Sequence, residues 1–302
     1  MNDRLPRNQI QWELMLPQEF RNAQAKLPIL FMPLGTVEWH GEHNALGLDS
    51  LKAHELLVRT AARAGGGVVH PPLYGGMGGL DKPATVIMEP EMAWENVMLR
   101  TWLEQYCYEF HRNGFKAIIL LTGHYGHNQQ IVIRETAVRM SERLRIPVFG
   151  SPEYWLALDE GYLGDHAGIG ETSLLWDLHP ELVQIERIRQ DPDYSIGGII
   201  ENGSSPELGR RYADRIVERL SRLAKDMMSW EDAVLDRYIS SERAIVQAQA
   251  KGWRNVGGWE FWTHIAGSEF VNYGQYLVER KFEEIANLAK EFGSRAFPRE
   301  RA

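Results

Sequence analysis

A chain of 302 residues can hold one large α/β domain or two small ones, with a substantial buried core. Its 44% hydrophobic and 25% charged content is that of an ordinary globular protein, and a formal net charge of −8 argues against a nucleic-acid backbone binder, which needs a basic patch. The single cysteine, Cys107, excludes an intrachain disulfide framework and a multi-cysteine zinc site, and it fits a reducing compartment.

Residues 1–27 read as a lead-in with one short amphipathic segment at 12–20, and the extreme N-terminus lacks the apolar core of a signal peptide. No apolar run reaches membrane-spanning length, so a soluble, cytoplasmic protein is expected. Residues 28–34 predict a strand, 50–63 a helix stopped by Gly65, Gly66 and Gly67, and 68–74 a second strand weakened by Pro71 and Pro72. The glycine-rich stretch 75–83 predicts an irregular loop that can approach a ligand closely or move. A helix over 91–111, with Cys107 as a core residue, ends at Asn113 and Gly114. Residues 116–122 form the clearest buried strand, followed by a turn, a helix over 129–144 and a strand over 146–150.

This alternation predicts a doubly wound α/β fold, a mostly parallel sheet with helices on both faces. The second half is more helical, with segments at 171–178, 206–228, from 230 onward, and 274–292. The chain accordingly divides into a domain over 1–229 and a helical, Trp-rich extension over 230–302. Trp253, Trp259 and Trp262 of that extension read as packing residues, on the same domain or at a subunit interface.

Three polar clusters interrupt the apolar pattern. The first, at 33–49, sets Glu38, His40, Glu42, His43 and Asp49 directly after the first strand, a density that suits a divalent metal. In extended backbone Glu38 and His40 project to one side. Asp49 stands where a helix begins, as an N-cap or as a ligand at the helix mouth. The second cluster, at 122–129, ends a buried strand in His124. In open α/β sheets ligands bind beyond the carboxyl ends of strands, where both clusters fall, which predicts one shared site. The third, at 164–173, pairs Asp165 with His166 as acid and imidazole, the carboxylate orienting the ring, and places Glu171 at a helix start.

The pattern Gly-Thr-Val-Glu-x-His-Gly-x-His-x-x-Leu-x-x-Asp, then Gly-His-x-Gly, then His-Ala-Gly-x-x-Glu-Thr-Ser resembles the creatininase (creatinine amidohydrolase) family over roughly residues 28–225. The resemblance implies a two-metal site that hydrolyses a small amide, linear or cyclic, with Glu38, His40, Asp49 and His124 as ligands and Asp49 as the bridge. Gly126 stands where creatininase proper supplies a further glutamate, and relatives with glycine there use the glutamate of the third motif, here Glu171. His166 matches the catalytic histidine, and Asp165 its acidic neighbour.

Tyr125 matches a substrate-side tyrosine, whereas Tyr162 stands where creatininase carries tryptophan. His127 and Thr122 replace asparagines. Tyr125, His127, Trp155 and Tyr162 are therefore the expected substrate-binding residues of a remodelled pocket. The implied mechanism uses two divalent cations (Zn, Mn or Fe) about 3.5–4 Å apart to activate water, with His166 protonating the leaving nitrogen. The expected partners are the amide substrate and further copies of the chain, a hexamer by family resemblance, with no nucleic acid or membrane. Two other chemistries fit the same motifs. One is deformylation of a formylamino-pyrimidine nucleotide, with Lys82 as phosphate anchor. The other is metal-dependent isomerisation or lysis of a sugar-like polyol. A non-catalytic metal-binding scaffold is disfavoured by the survival of Glu38, His40, Asp49, His124 and His166.

Overall fold

Four apolar runs build one parallel sheet in a computed structural model that describes residues 6–90, 97–190, 203–256 and 268–294. The strands are β1 (Ile29–Leu34), β2 (Val68–Val69), β3 (Ala117–Thr122) and β4 (Val148–Pro152), in the order β2-β1-β3-β4 with every pairing parallel. All their residues are buried, as parallel strands covered on both faces require. The helices are α1 (Pro17–Lys26), α2 (Leu48–Ala64), α3 (Met98–Arg112), α4 (His127–Leu144), α5 (Ile169–Leu178), α6 (Pro206–Met227), α7 (Asp232–Val256), α8 (Tyr273–Val278) and α9 (Phe282–Ser294).

Strand alternation sorts the core into two layers. Ile29, Phe31, Ile119, Leu121 and Phe149 face a cluster with Leu56 and Leu57 of α2 and Ile216 and Leu220 of α6. Leu30, Met32, Ile118, Leu120 and Val148 face the other way, onto Leu103 and Cys107 of α3 and Val132 and Ile133 of α4. The predicted α/β architecture is therefore present, and Cys107 is fully buried.

Boundaries differ from expectation where backbone donors are missing or redirected. The second strand has two residues instead of seven, because Pro71 and Pro72 offer no N–H to a ladder. The chain still follows β1, with His70 N donating to Phe31 O at 2.8 Å and Leu73 N to Pro33 O at 3.0 Å. Helix α3 begins at Met98, after extended Val97, and the Glu89 carboxylate accepts from Met98 N and Leu99 N. Its expected first turn, at 91–96, lies outside the described residues. Helix α4 starts at His127, two residues early, with Gly126 as its N-cap. The final predicted helix is two, α8 and α9, separated where Arg280 adopts a φ of +55° and donates to Asp226 at 2.8 Å.

Residues of α7, α8 and α9 share the core of the sheet. Tyr238, Ile239, Tyr273, Leu277, Phe282 and Ile285 belong to the cluster that contains Ile119 and Leu121. These described residues of α7, α8 and α9 thus share one core with the sheet. The side chain of Trp253, and residues Trp259 and Trp262, lie outside what is described. Among the described residues no helix is long and apolar enough to cross a membrane.

Candidate metal centre

Helix α2 follows β1 onto one face of the sheet and α4 follows β3 onto the other, so a crevice opens beyond the carboxyl ends of these adjacent strands. Two glycines press α2 into it. A Cβ on Gly35 would lie 2.4 Å from Ser50 N, and one on Gly123 would lie 2.1 Å from Asp49 O. No side chain fits at either point, and the first turn of α2 is held against both strand ends.

Asp49 lies within that first turn and is not the N-cap, which is Gly47. Its Oδ1 is 3.1 Å from His40 Nε2, and its Oδ2 is 3.1 Å from His124 Nδ1. Glu38 Oε2 also lies 3.1 Å from His124 Nδ1, while Glu38 Oε1 accepts from Leu80 N of the glycine-rich loop at 2.6 Å. The opposite ring nitrogens meet backbone carbonyls: His40 Nδ1 donates to Glu38 O at 3.0 Å and His124 Nε2 to Met77 O at 2.9 Å. A carbonyl only accepts, so each imidazole turns its other nitrogen toward the carboxylates, as metal-binding histidines do.

His124 Nδ1 and Asp49 Oδ2 meet as a hydrogen-bonded pair, but two neighbouring atoms do not pair. Glu38 Oε2 and His40 Nε2 are buried and have no partner at hydrogen-bonding angles, despite neighbours at 3.1 Å. Their lone pairs converge on common points. Three groups bring ligand atoms within 4.8 Å of one another: Glu38, Asp49 and His124; His40, Asp49 and Glu171; and Glu38, His40 and His166. Asp49 belongs to the first two. This donor set, carboxylates with imidazoles, fits divalent metal binding.

The electrostatics agree with the geometry. Burial alone would push the His40 imidazole down, but Asp49, Glu171 and Glu38 outweigh it and hold it at about 9. Burial likewise works against His124, which Glu38 and Asp49 carry well above the ordinary imidazole value. Glu38 is brought down to about 2, His124 overcoming the effect of burial. Asp49 is held below the usual carboxylate range by His40 and His124, again against burial. A centre that draws positive charge this strongly attracts cations.

Glu171 reaches the crevice from the first turn of α5, as its third residue. Its Oε2 accepts from Ala167 N at 2.8 Å and lies 3.7 Å from His40 Nε2. Its Oε1 accepts from Lys52, a fully buried lysine that α2 carries one turn after Asp49. Lys52 Nζ also donates to Tyr125 Oη at 2.9 Å and sits 3.1 Å from Glu153 Oε1. Tyr125 donates to Glu153 at 2.6 Å, and Tyr162 bonds the same phenol oxygen.

Lys52 and Glu153 had escaped the sequence reading. Glu153 directly follows β4, so the strand-end rule applied to a third strand would have flagged it. Lys52 is three residues past Asp49 on one helix face, a weak signal inside an otherwise apolar row.

His166 lies over His40, ring centroids 4.5 Å apart at 26°, and its Nε2 donates to Trp39 O at 2.9 Å. Its imidazole is lowered by burial and by His40. Asp165 does not orient this ring. Its Oδ2 accepts from Gly170 N at 2.7 Å and its Oδ1 from Glu171 N at 2.9 Å, so it caps the start of α5. The exposed N–H groups of a helix start outcompete a sequence neighbour for a carboxylate. Burial, with Glu171 nearby, still raises Asp165 to about 6.

The remaining expected residues separate into near and far. Tyr125 and Tyr162 stand beside Glu171, as above, and Tyr162 stacks on Tyr212 at 4.8 Å. His127 is buried in the first turn of α4, and burial pushes its imidazole down to about 3. Trp155 faces the extension, under the Arg134 guanidinium at 3.6 Å and edge-on to Phe270 and Tyr273, so it is core and not pocket. His43 turns to Thr172 Oγ1 at 3.2 Å, and Glu42 is exposed, so neither joins the ligand set. The Lys82 ammonium lies 5.3 Å from the centroid of the Trp39 ring.

The sequence model of the creatininase family, described as creatinine amidohydrolase, matches residues 13–224. The chain belongs to the creatininase family. Creatinine amidohydrolase of Pseudomonas putida is 27% identical, with 54% of this chain aligned to 69% of that protein. A crystal structure of creatinine amidohydrolase (creatininase) covers 74% of this chain and 99% of its own, with a TM-score of 0.63 and 22% identity. A manganese creatininase covers 73% and 99% with a TM-score of 0.60, and a mutant creatininase of zinc–zinc type 73% and 98% with 0.59, both at 22% identity. These structures speak for a creatininase fold. As a creatininase-family chain, the protein is a metal-dependent amidohydrolase that acts on C–N bonds other than peptide bonds.

Proposed function

We propose that this chain hydrolyses the C–N bond of a small amide, linear or cyclic, at a centre for two divalent ions. The observation that carries the reading is Asp49, whose two oxygens face two different imidazoles at 3.1 Å each. Glu38, Asp49 and His124 would hold one ion, and His40, Asp49 and Glu171 the other. An oxygen-rich set with imidazole suits Zn²⁺, Mn²⁺ or Fe²⁺, and the zinc–zinc and manganese creatininases support the first two. Ions bound there lower the pKa of water toward neutrality and polarise an amide carbonyl.

The chain supplies the proton chemistry and the positioning. The Trp39 carbonyl fixes the His166 tautomer, with Nε2 protonated and Nδ1 left as the acceptor. Beside Glu38 and His40, His166 takes a proton from the attacking water and returns it to the leaving nitrogen. Asp165 serves through α5, whose first turn it anchors, and so places Glu171. Tyr125 and Tyr162, locked together, shape the adjoining wall.

Protein stripped by a chelator is expected to be inactive toward a panel of lactams, cyclic ureides, formamides and linear amides. Adding Mn²⁺ or Zn²⁺ is expected to restore release of ammonia or carboxylic acid from at least one member. Protein that holds its ions yet turns over none of them would shift the reading to isomerase or lyase chemistry. The same family reading carries a homo-oligomer, for which exposed Tyr74, Ile87, Met88 and Trp102 offer apolar surface. A monomeric mass by light scattering would refute that part.

A further inference from the structure

Lys52 is a buried charged group beside the centre that the proposed chemistry leaves unused. Gly126 offers no side chain at the start of α4, so the His40–Asp49 half of the centre relies on Glu171, which arrives from α5 across the crevice. A glutamate carboxylate reaching that far is defined only if both of its oxygens are held. Ala167 N holds Oε2 at 2.8 Å, and Lys52 Nζ holds Oε1.

The ammonium is itself fixed in place. It faces Glu153 Oε1 at 3.1 Å and Tyr125 Oη at 2.9 Å from neighbouring elements, and it lies 4.2 Å from the centroid of the Tyr125 ring. A buried ammonium with two carboxylate partners is a stiff strut, since removing it strands both.

We propose that Lys52 is a positioning residue for the second ion, clamping Glu171 Oε1 so that Oε2 stays turned toward His40 and Asp49. The proposal rests on the two-ion reading above. A purely structural alternative exists on the same geometry, in which Lys52 serves only as the counter-charge of Glu153. The two differ in what a neutral replacement of Glu153 repairs.

The test is calorimetric titration of chelator-stripped protein with Mn²⁺ alone, together with ion content per chain and the melting midpoint. Wild type is expected to take up two ions in resolvable steps. In K52M/E153Q the midpoint returns toward the wild-type value, while one ion binds about 10–100-fold more weakly and the other is unchanged. Full recovery of both ions in K52M/E153Q would overturn the proposal and leave Lys52 a counter-charge.

A second cycle does not depend on that variant folding well. E171Q is expected to weaken the same ion more than K52M does, and K52M/E171Q no more than E171Q alone, because Lys52 acts only through Glu171. Additive losses would overturn the proposal. Wild-type protein that binds one ion or none would refute the two-ion reading, and this inference with it.

Discussion

Asp49→Ala is expected to lower kcat/KM by more than about 10³-fold while leaving the chain folded. Removing one preorganised electrostatic group at a reacting centre typically costs about 10²–10³-fold. Asp49 contributes to both ligand groups at once, so its loss leaves neither complete. The side chain is buried at the first turn of α2, where its oxygens meet only His40 and His124 among the described residues. Deleting it therefore strands two imidazoles but breaks no backbone bond and no apolar packing. Ion content should fall below two per chain, and far-UV circular dichroism should be unchanged. Asp49→Asn tests the same point with volume conserved, since an amide offers one acceptor oxygen where the bridge needs two. An Asp49→Ala protein that keeps both ions and a tenth of the activity would sink the bridging role.

How much of this was readable in the sequence depends on what each residue's neighbours are. The sheet was legible because Ile29–Leu34 and Ala117–Thr122 are apolar runs of strand length, flanked by turn residues, and buried on both faces. Glu38, His40, Asp49 and His124 were legible because strand ends converge in a parallel sheet whatever the details of the loops. Glu171 stood out in its cluster but took a ligand's role only through the resemblance, since a glutamate at a helix start satisfies the helix by itself. Asp165 was misread for a related reason: adjacency to His166 in sequence does not fix which way a carboxylate turns, and two free N–H groups of α5 were within its reach. Lys52 was hidden because its value comes from Glu153 and Glu171, 101 and 119 residues away. Trp155 was placed in the pocket on residue type alone, and the partner that claims it, Arg134, lies on another element.

That partner carries the largest expected loss of stability. Arg134→Met should destabilise the protein by about 3–5 kcal/mol, the usual result of stranding one member of a buried ion pair. Arg134 of α4 is fully buried and donates to Glu242 Oε2 of α7 at 2.9 Å, to Tyr273 Oη of α8 at 3.1 Å and to Ser151 Oγ of β4 at 2.7 Å. One guanidinium thus ties the sheet to two helices of the extension, and its face packs on Trp155. The melting midpoint should fall by roughly 5–15 °C. Burial already raises Glu242, with Arg134 as the main offset, so the substitution raises it further. A carboxyl raised in the folded state loses stability as pH climbs above its unfolded value, and the deficit of Arg134→Met should shrink as pH is lowered toward that value. R134M/E242Q should recover part of the loss at neutral pH, because the stranded charge is gone. Both variants should unfold in a single transition, since α7, α8 and α9 share one core with β1 and β3. Two separated transitions would show instead that residues 230–302 fold apart from the α/β domain. The site would then be stable without them, although β4, whose Ser151 Arg134 grips, leads directly into Glu153.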